Sequence, residues 1–284
     1  MKVLSFLIIV TSLAALFFVN LGNLTPERND ITIVVKDNSF ENKIIKIAVV
    51  GDPHLSENKN ALLSFAELME DIKSAQPDLV VFVGDYTDNP SNISNMSQHR
   101  SKIAKTISSL DPIKTAIVLG NYETWSDANK WYLSFSDEKL NILENEIALI
   151  NDKKNNICVR GLGDFYTNRF MYIPFPEKCK EMVKITLTHD PAGAFHKDVT
   201  GLVISGHTHC GQIRFPLIGS LWVPTEAPSK AHCGLYKDSQ RTVFTTSGIG
   251  TALLPLRIGT QAQWDFLTIK IGSQTKQISA NSTN

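Results

Sequence analysis

Short apolar runs alternate with stretches of helical periodicity along the chain from residue 43 onward. This alternation is typical of a layered α/β domain. Two stretches, 61–75 and 97–110, have apolar positions at helical spacing and are predicted to be helices. Five apolar runs are predicted to be buried strands: KIIKIAVV (43–50), DLVVFV (78–83), KTAIVL (114–119), VKITLT (183–188) and GLVIS (201–205).

Four further β-rich runs are predicted to form two hairpins. One hairpin pairs 147–150 with 157–161, and the other pairs 242–248 with 264–271. The pattern contains no internal repeat, so it predicts one continuous domain.

Length and charge narrow the possibilities further. A chain of 284 residues is long enough for one large domain or two small ones. We predict one domain over 43–272, followed by a polar tail over 273–284. Lysine plus arginine and aspartate plus glutamate balance at 28 each, so no overall field favours nucleic acid. No local basic run supplies a track for a phosphate backbone either. Nucleic acid is therefore not an expected partner.

The first 25 residues contain an uncharged apolar run from Val3 to Val19. Its length lies near the lower limit for crossing a bilayer. Bulky residues (LFFVN) stand where a signal peptide would be cleaved, so residues 1–25 are predicted to be an uncleaved membrane anchor. Lys2 precedes the run, which favours an extracytoplasmic position for the domain that follows. The alternatives are a signal segment with secretion after cleavage, and a buried segment.

Each of the five predicted strands is followed by a turn that carries Asp, Asn or His. The turns read GDPHL, GDYTDN, GNYE, THDP and GHTHCGQ. In α/β folds the carboxyl ends of the strands share one crevice, so we expect these turns to meet. Turn formation has no use for histidines, yet four of the chain's seven lie here. The candidate site residues are Asp52, His54, Asp85, Asn121, His189, His207 and His209.

This residue set predicts a metal centre. Imidazole nitrogen with carboxylate and amide oxygen, without thiolate, suits Mn, Fe, Zn or Co better than Ca. Seven ligands are more than one four-coordinate ion needs, whereas two divalent ions bridged by one carboxylate fit the count. Such a pair, about 3.5–4 Å apart, generates hydroxide near neutral pH and attracts an anion. The predicted chemistry is hydrolysis of a phosphoester.

The motifs D-x-H, GD-x-x-D, GN-x-E, a histidine after a strand and GH-x-H, in this order over residues 52–209, resemble the calcineurin-like metallophosphoesterase superfamily. The resemblance implies a four-layer α/β/β/α sandwich with two mixed sheets. The implied ligands are Asp52, His54 and His209 for the first metal, and Asn121, His189 and His207 for the second, with Asp85 bridging them. The apolar leader, SGHTHCGQIRFP and SGIGTALLPLR are similar to the bacterial membrane-associated phosphodiesterase branch. A phosphodiesterase is therefore the implied activity.

One position departs from the family pattern. The family usually reads GNH, and that histidine protonates the leaving group or stabilises the transition state; here the position holds Tyr122. Tyrosine, with an ordinary pKa near 10, is a poorer general acid at neutral pH, although its hydroxyl can still donate a hydrogen bond. We expect Asp85, Asn121 and Tyr122 to act in catalysis, and substrates with good leaving groups to suffer least from the replacement.

Other residues near the motifs have two possible roles each. Asp88 and Glu123 are expected to orient a ligand or a turn rather than bind metal. Arg214 and Arg257 either face the substrate phosphate or are structural.

The chain's cysteines lack CxxC spacing. Cys158 and Cys179 could pair in an oxidising compartment and would otherwise be core thiols. Cys210 replaces a glycine common in the relatives and is either a thiol near the site or a small buried side chain.

Two other functions stay open at this stage. One is cleavage of the pyrophosphate of a lipid-linked nucleotide of the UDP-2,3-diacylglucosamine type, as in lipid A biosynthesis, for which a membrane anchor would place the site beside the bilayer. The other is a metal-binding module that lost activity together with the histidine at position 122. The expected partners are a phosphoester substrate, which is lipid-linked under the first alternative, and the membrane through the N-terminal segment.

Overall fold

The computed structural model describes residues 19–21, 25–36, 40, 42–151, 155–215, 217–220 and 222–272. Most of the predicted N-terminal anchor and the whole polar tail lie outside the described residues. Within these ranges, no helix combines the length and apolarity needed to cross a membrane.

The described elements follow one another in a mixed α/β order. The strands are β1 (Val19–Leu21), β2 (Glu27–Lys36), β3 (Lys43–Val50), β4 (Leu79–Val83), β5 (Thr115–Val118), β6 (Glu146–Asn151), β7 (Asn156–Gly161), β8 (Val183–Leu187), β9 (Gly201–Ser205), β10 (Arg214–Phe215), β11 (Gly219–Ser220), β12 (Gly234–Lys237), β13 (Arg241–Thr245), β14 (Leu256–Ile258) and β15 (Gln263–Gly272). The α-helices are α1 (Lys59–Ala75), α2 (Met96–Ser108), α3 (Asn121–Trp125) and α4 (Ala128–Asp137).

Two mixed sheets pack face to face. The first has the order β2-β15-β3-β4-β5, and the second has the order β12-β13-β9-β8-β7-β6. In β3, Ile45, Ile47 and Val49 point into the layer between the sheets, whereas Ala48 and Val50 point toward the helices. Both faces of this strand are therefore buried, which is why its sequence is almost continuously apolar.

The outer faces of the two sheets are covered differently. Helices α1, α2 and α4 cover the first sheet with a core that includes Met69, Ile103 and Trp131. The described segments that cover the second sheet are loops and short 3₁₀ turns such as Pro191–Phe195. The predicted α/β fold with two mixed sheets is confirmed, and its outermost layer beside β9 is built from turns rather than long helices.

Most predicted elements are confirmed. The five predicted strands correspond to β3, β4, β5, β8 and β9, the two predicted helices to α1 and α2, and the first hairpin to antiparallel β6 and β7. The second predicted hairpin is wrong. Strand β13 pairs with β9 and β12 in one sheet, whereas β15 lies between β2 and β3 in the other. The pattern of apolar residues in a strand predicts that the strand is buried, but it does not predict which strands lie next to it in a sheet.

Candidate metal centre

The candidate residues come from both sheets and meet at one end of the sandwich. Strands β3, β4 and β5 are parallel in the first sheet, and β8 and β9 are parallel in the second. The backbone N–H of His207 donates to Asp52 Oδ1 at 2.8 Å, and this bond joins a turn of one sheet to a turn of the other. The expected convergence of distant turns is therefore confirmed.

Two buried triads form within this cluster. Asp52, His54 and His209 offer ligand atoms that lie within 4.8 Å of one another. A second triad offers the same spacing and consists of Asp85, His189 and His207.

Asp85 belongs to the second triad and also faces the first. Its Oδ2 is 3.6 Å from His54 Nε2 and 3.2 Å from His189 Nε2. The remaining candidate, Asn121, places its Oδ1 3.0 Å from His189 Nε2. All seven candidate residues thus belong to one cluster, and one carboxylate oxygen of Asp85 faces a histidine from each half.

The ligand-bearing turns have an unusual backbone. Positive φ angles of 43–68° occur at Asp52, His54, Asp85, His207 and His209. Asp, Asn and His enter this left-handed region more readily than most residues, but each such residue costs on the order of 1–3 kcal/mol. Strain of this kind clusters at functional sites, and here it turns the side chains back toward a common centre.

Two glycines allow the turns to approach one another. Gly84 has a φ of 96°, and a Cβ there would lie 2.6 Å from His189 Nδ1. A Cβ at Gly120 would collide with Asp85 Oδ1. Any larger residue at these positions would push the second triad apart.

Hydrogen bonds determine which ring nitrogen of His189 and of His207 faces the candidate metal site. His189 Nδ1 donates to the carbonyl of Val83 at 2.6 Å, and His207 Nε2 donates to the carbonyl of Pro224 at 2.7 Å. The opposite nitrogens, Nε2 of His189 and Nδ1 of His207, face each other at 3.1 Å, and in the neutral tautomers set by these bonds both can accept a metal. This is the arrangement by which proteins prepare imidazole for metal binding. Without a metal, burial lowers the pKa of His189, but the charge of Asp85 outweighs it and raises that pKa well above its usual value, so a bound cation would replace a proton.

The charge balance of the cluster also fits cations. Asp52 is fully buried and its Oδ2 has no hydrogen-bond partner, a costly state for a carboxylate unless a cation compensates. Burial raises the pKa of Asp52 to about 7. Burial lowers the pKa of His54 and His209 and so keeps both in the neutral form that binds metal. Nitrogen and oxygen donors without sulfur suit a borderline divalent ion.

Comparison with known protein families also supports a metal centre at this cluster. The calcineurin-like phosphoesterase family model matches residues 45–211, a range that contains all seven candidate residues. The chain belongs to this family. Family membership and the two triads together support a dinuclear divalent-metal site for phosphoester hydrolysis.

Several relatives are similar over most of this chain. Phosphodiesterase YaeI of Escherichia coli is 26% identical over 240 residues, which cover 82% of this chain and 84% of that protein. The uncharacterized metallophosphoesterase YkuE of Bacillus subtilis is 26% identical, with 79% of each chain covered. A zebrafish transmembrane protein with metallophosphoesterase domain is 26% identical over 93% of this chain, but the match spans only 62% of that protein.

A dimetal phosphatase from zebrafish is similar in structure, with 12% identity and coverage of 80% of this chain and 98% of that one. Its TM-score of 0.45 is too low for the superposition to add to the family assignment.

Glu123 positions the metal-binding turn of this calcineurin-like site. Its buried carboxylate accepts hydrogen bonds from the backbone N–H of Asp85 at 2.8 Å, Tyr86 at 2.8 Å and Gly120 at 3.0 Å. Asp85 Oδ1 in turn accepts from the N–H of Tyr122 at 2.9 Å, which leaves Oδ2 for the histidines. Glu123 therefore orients a ligand, as its sequence position predicts.

Tyr122 faces the centre. Its ring meets the ring of His54 edge-on, with centroids 4.5 Å apart, and lies 5.0 Å from the ring of Trp125. Burial, followed by the charge of Asp85, raises the pKa of Tyr122 to about 12. The hydroxyl is therefore fully protonated at neutral pH and is available as a donor.

Arg257 is structural. Only 1% of it is exposed, and its guanidinium donates to the carbonyl groups of Ser247, Gly248 and Gly250 at 2.6–3.1 Å. Its Nη2 also lies 3.3 Å from His209 Nδ1. Of the two roles that the sequence left open, contact with a substrate phosphate is excluded because these carbonyls surround the guanidinium. Arg257 instead holds the segment behind His209.

All four cysteines are paired. Cys158 bonds to Cys179, which settles the question that the sequence left open. Cys210 bonds to Cys233, so it is neither a thiol aimed at the site nor an isolated buried side chain. This second disulfide ties the residue after His209 to a distant loop.

A cavity of about 540 Å³ opens onto the metal centre. Its lining is mostly apolar or aromatic and includes Tyr122, Trp125, Tyr166, Trp222, Leu253 and Leu254. No lysine or arginine lines it among the described residues. The sequence analysis did not predict this aromatic lining. The only indication of it in the sequence was the presence of tryptophans outside the predicted helices and strands. A cavity of about 640 Å³ beside Lys43 lies at the opposite end of β3 and holds none of the seven residues.

Proposed function

We propose that this chain is a phosphodiesterase for substrates that carry one phosphate and an apolar or aromatic substituent. The observation that carries the proposal is the pair of buried triads joined through Asp85 Oδ2, opening onto a mostly apolar cavity. A diester fits because its phosphate would lie at the cationic centre while one substituent fills the cavity.

The proposed roles of the residues follow from their positions. Asp52, His54 and His209 would hold one ion, and Asn121, His189 and His207 the other, with Asp85 between them. Ions bound there would supply Lewis-acid activation of water and neutralise phosphate charge. Tyr122, neutral and on the cavity wall, would donate a hydrogen bond to the leaving group.

The cavity favours a diester over a lipid-linked pyrophosphate. A second phosphate needs its own cationic partners, usually Arg or Lys. The described part of the cavity wall contains neither.

A metal and activity measurement tests the assignment. Elemental analysis of the full chain should find two divalent ions, and the same preparation should hydrolyse bis(p-nitrophenyl) phosphate with Mn or Zn. Asp85→Asn should lower both metal content and turnover. The matched control is Asp78→Asn, at the far end of β4, where the carboxylate accepts from the N–H of Lys46 at 2.8 Å. Two bound ions without turnover would instead identify an inactive metal-binding module.

We also propose that residues 1–25 anchor the protein to a membrane, with the domain outside the cytoplasm. The uncharged apolar run and the preceding Lys2 support this placement, and two disulfides are typical of an oxidising compartment. Fractionation of the full chain, with protease treatment of intact cells, tests it: recovery from the membrane fraction with the domain digested from outside is the expected result.

A further inference from the structure

We infer that an apolar rim around the mouth of the metal-site cavity docks onto the surface of a lipid bilayer. The apolar rim consists of Leu217, Ile218, Trp222, Leu253 and Leu254. The inference deepens the proposed function, since it places the cavity mouth against lipid. The docking itself is testable without any activity.

The rim residues are unusually exposed. Leu217 is 107% exposed and Leu253 is 85% exposed, while Ile218, Trp222 and Leu254 are each at least half exposed. A single exposed leucine is ordinary, but a contiguous apolar group marks an interaction surface. Leu217 and Leu253 also have φ angles of 67° and 61°, which is uncommon for leucine.

The rim belongs to two chain segments that are held together at the cavity mouth. Leu217 and Ile218 lie at the tip of the β10–β11 hairpin. The side-chain amide of Gln212, just before that hairpin, donates to the carbonyl groups of Ala252 at 3.0 Å and Leu254 at 2.9 Å. Trp222, Leu253 and Leu254 line the cavity together with ligand residues of the metal centre. Whatever covers the rim therefore covers the entrance.

The position of the N-terminal segment favours lipid as the occupant. Strand β1, at the end of the apolar run, pairs antiparallel with β14, so that Leu21 lies opposite Leu256. Leu256 is two residues from the rim residue Leu254, and Ile213 bridges to Ile258 on the same strand. The described end of the apolar run, Val19–Leu21, and the rim thus lie at one edge of the domain.

The charge of the rim also suits a bilayer. Neither 210–222 nor 246–256 contains an acidic residue, and the exposed Arg214 on β10 adds a positive charge beside the rim. Anionic headgroups attract such a surface. Tryptophan, here Trp222, is the residue that favours the membrane–water interface.

Site-specific quenching tests the docking on the full chain. Since every native cysteine is in a disulfide, Leu217→Cys can be labelled alone with an environment-sensitive fluorophore and reconstituted into phosphatidylcholine–phosphatidylglycerol vesicles. The matched control is Ile44→Cys, 52% exposed and near the start of β3, about 20 Å along the strand from the metal-site end. Leu253→Cys serves as a second rim label if Leu217→Cys does not fold.

Each outcome decides the inference. We expect nitroxide-labelled phospholipid to remove most of the fluorescence at position 217, and aqueous iodide to remove most of it at position 44. Quenching of the rim label by iodide would place the rim in water, and quenching by neither agent would place it against protein, either a second copy or the leader. Equal quenching of both labels by lipid would show no preferred face. Any of these three results overturns the inference.

An activity measurement separates this inference from the proposed function. Leu217→Asp/Ile218→Asp changes the hairpin tip, which does not line the cavity. This variant should lose most of its turnover on a vesicle-borne phosphodiester and retain turnover on soluble bis(p-nitrophenyl) phosphate. If the unaltered chain hydrolyses neither substrate, the proposed function fails, while the quenching result still decides the docking.

Discussion

Replacement of Tyr122 by histidine should raise turnover selectively on substrates with poor leaving groups. With a pKa of about 12 the tyrosine hydroxyl transfers a proton poorly at neutral pH. An imidazole titrates near 6.5, and a positioned general acid of that kind contributes about 10²- to 10⁴-fold. The smaller ring fits the space 4.5 Å from His54 and 5.0 Å from Trp125, without new overlap.

The size of the gain should depend on the leaving group. An alkyl phosphodiester needs a proton on its departing oxygen, so its turnover should rise by about 10²-fold, the lower end of that range. A nitrophenyl ester departs as a stable anion and should change by less than about tenfold. Tyr122→Phe keeps the ring and removes only the hydroxyl. It should cost the alkyl substrate about 1 kcal/mol, one hydrogen bond, or roughly fivefold.

The assay compares kcat on the two substrates at pH 7 for the unaltered chain, Tyr122→His and Tyr122→Phe, at matched metal content. Equal changes on both substrates would remove Tyr122 from the leaving-group role. An unchanged rate in Tyr122→Phe would show that the hydroxyl makes no productive contact.

Two predictions concern stability and metal retention. Burial raises the pKa of Asp265 to about 6; the folded state therefore holds this proton more tightly than the unfolded state, and stability falls as pH rises from about 4 to above 6. Urea unfolding should show the metal-free chain losing about 2 kcal/mol of stability relative to Asp265→Asn between pH 4 and 7. A pH-independent difference would refute the shift. Replacing Cys210 and Cys233 by serine should cost about 2–4 kcal/mol and lower metal content, because the disulfide ties down the turn beside a ligand. Replacing Cys158 and Cys179 should lower stability alone, and equal metal loss in both pairs would contradict this.

The local sequence determined most of the individual elements. Strand β3 is apolar on both faces because it lies between a helix layer and a second sheet, and its pattern predicted its bounds at 43–50. Helix α3 was missed because five residues starting at Asn121 are too few to show a helical period.

The sequence also identified the candidate ligands of the metal centre, because turns do not need histidine. Four histidines in strand-ending turns have no role in turn formation, and all four lie in the two triads. Sequence alone left the role of Arg257 and the pairing of Cys210 open. Both depend on which segments pack behind His209, and residues far apart in the chain leave no periodic signal of that packing.

The tertiary structure decided the sheet partners and the surroundings of the site. Strands β13 and β15 were predicted to form a hairpin, yet they belong to different sheets. Each is buried on both faces, and its sequence does not encode whether β9 or β3 becomes its neighbour. The apolar cavity and its rim likewise join residues near 125, 166, 222 and 253. Residue types and their spacing therefore determined the chemistry of the candidate site. Long-range packing determined the apolar cavity beside it, because contacts between distant segments depend on the whole fold and not on any local pattern.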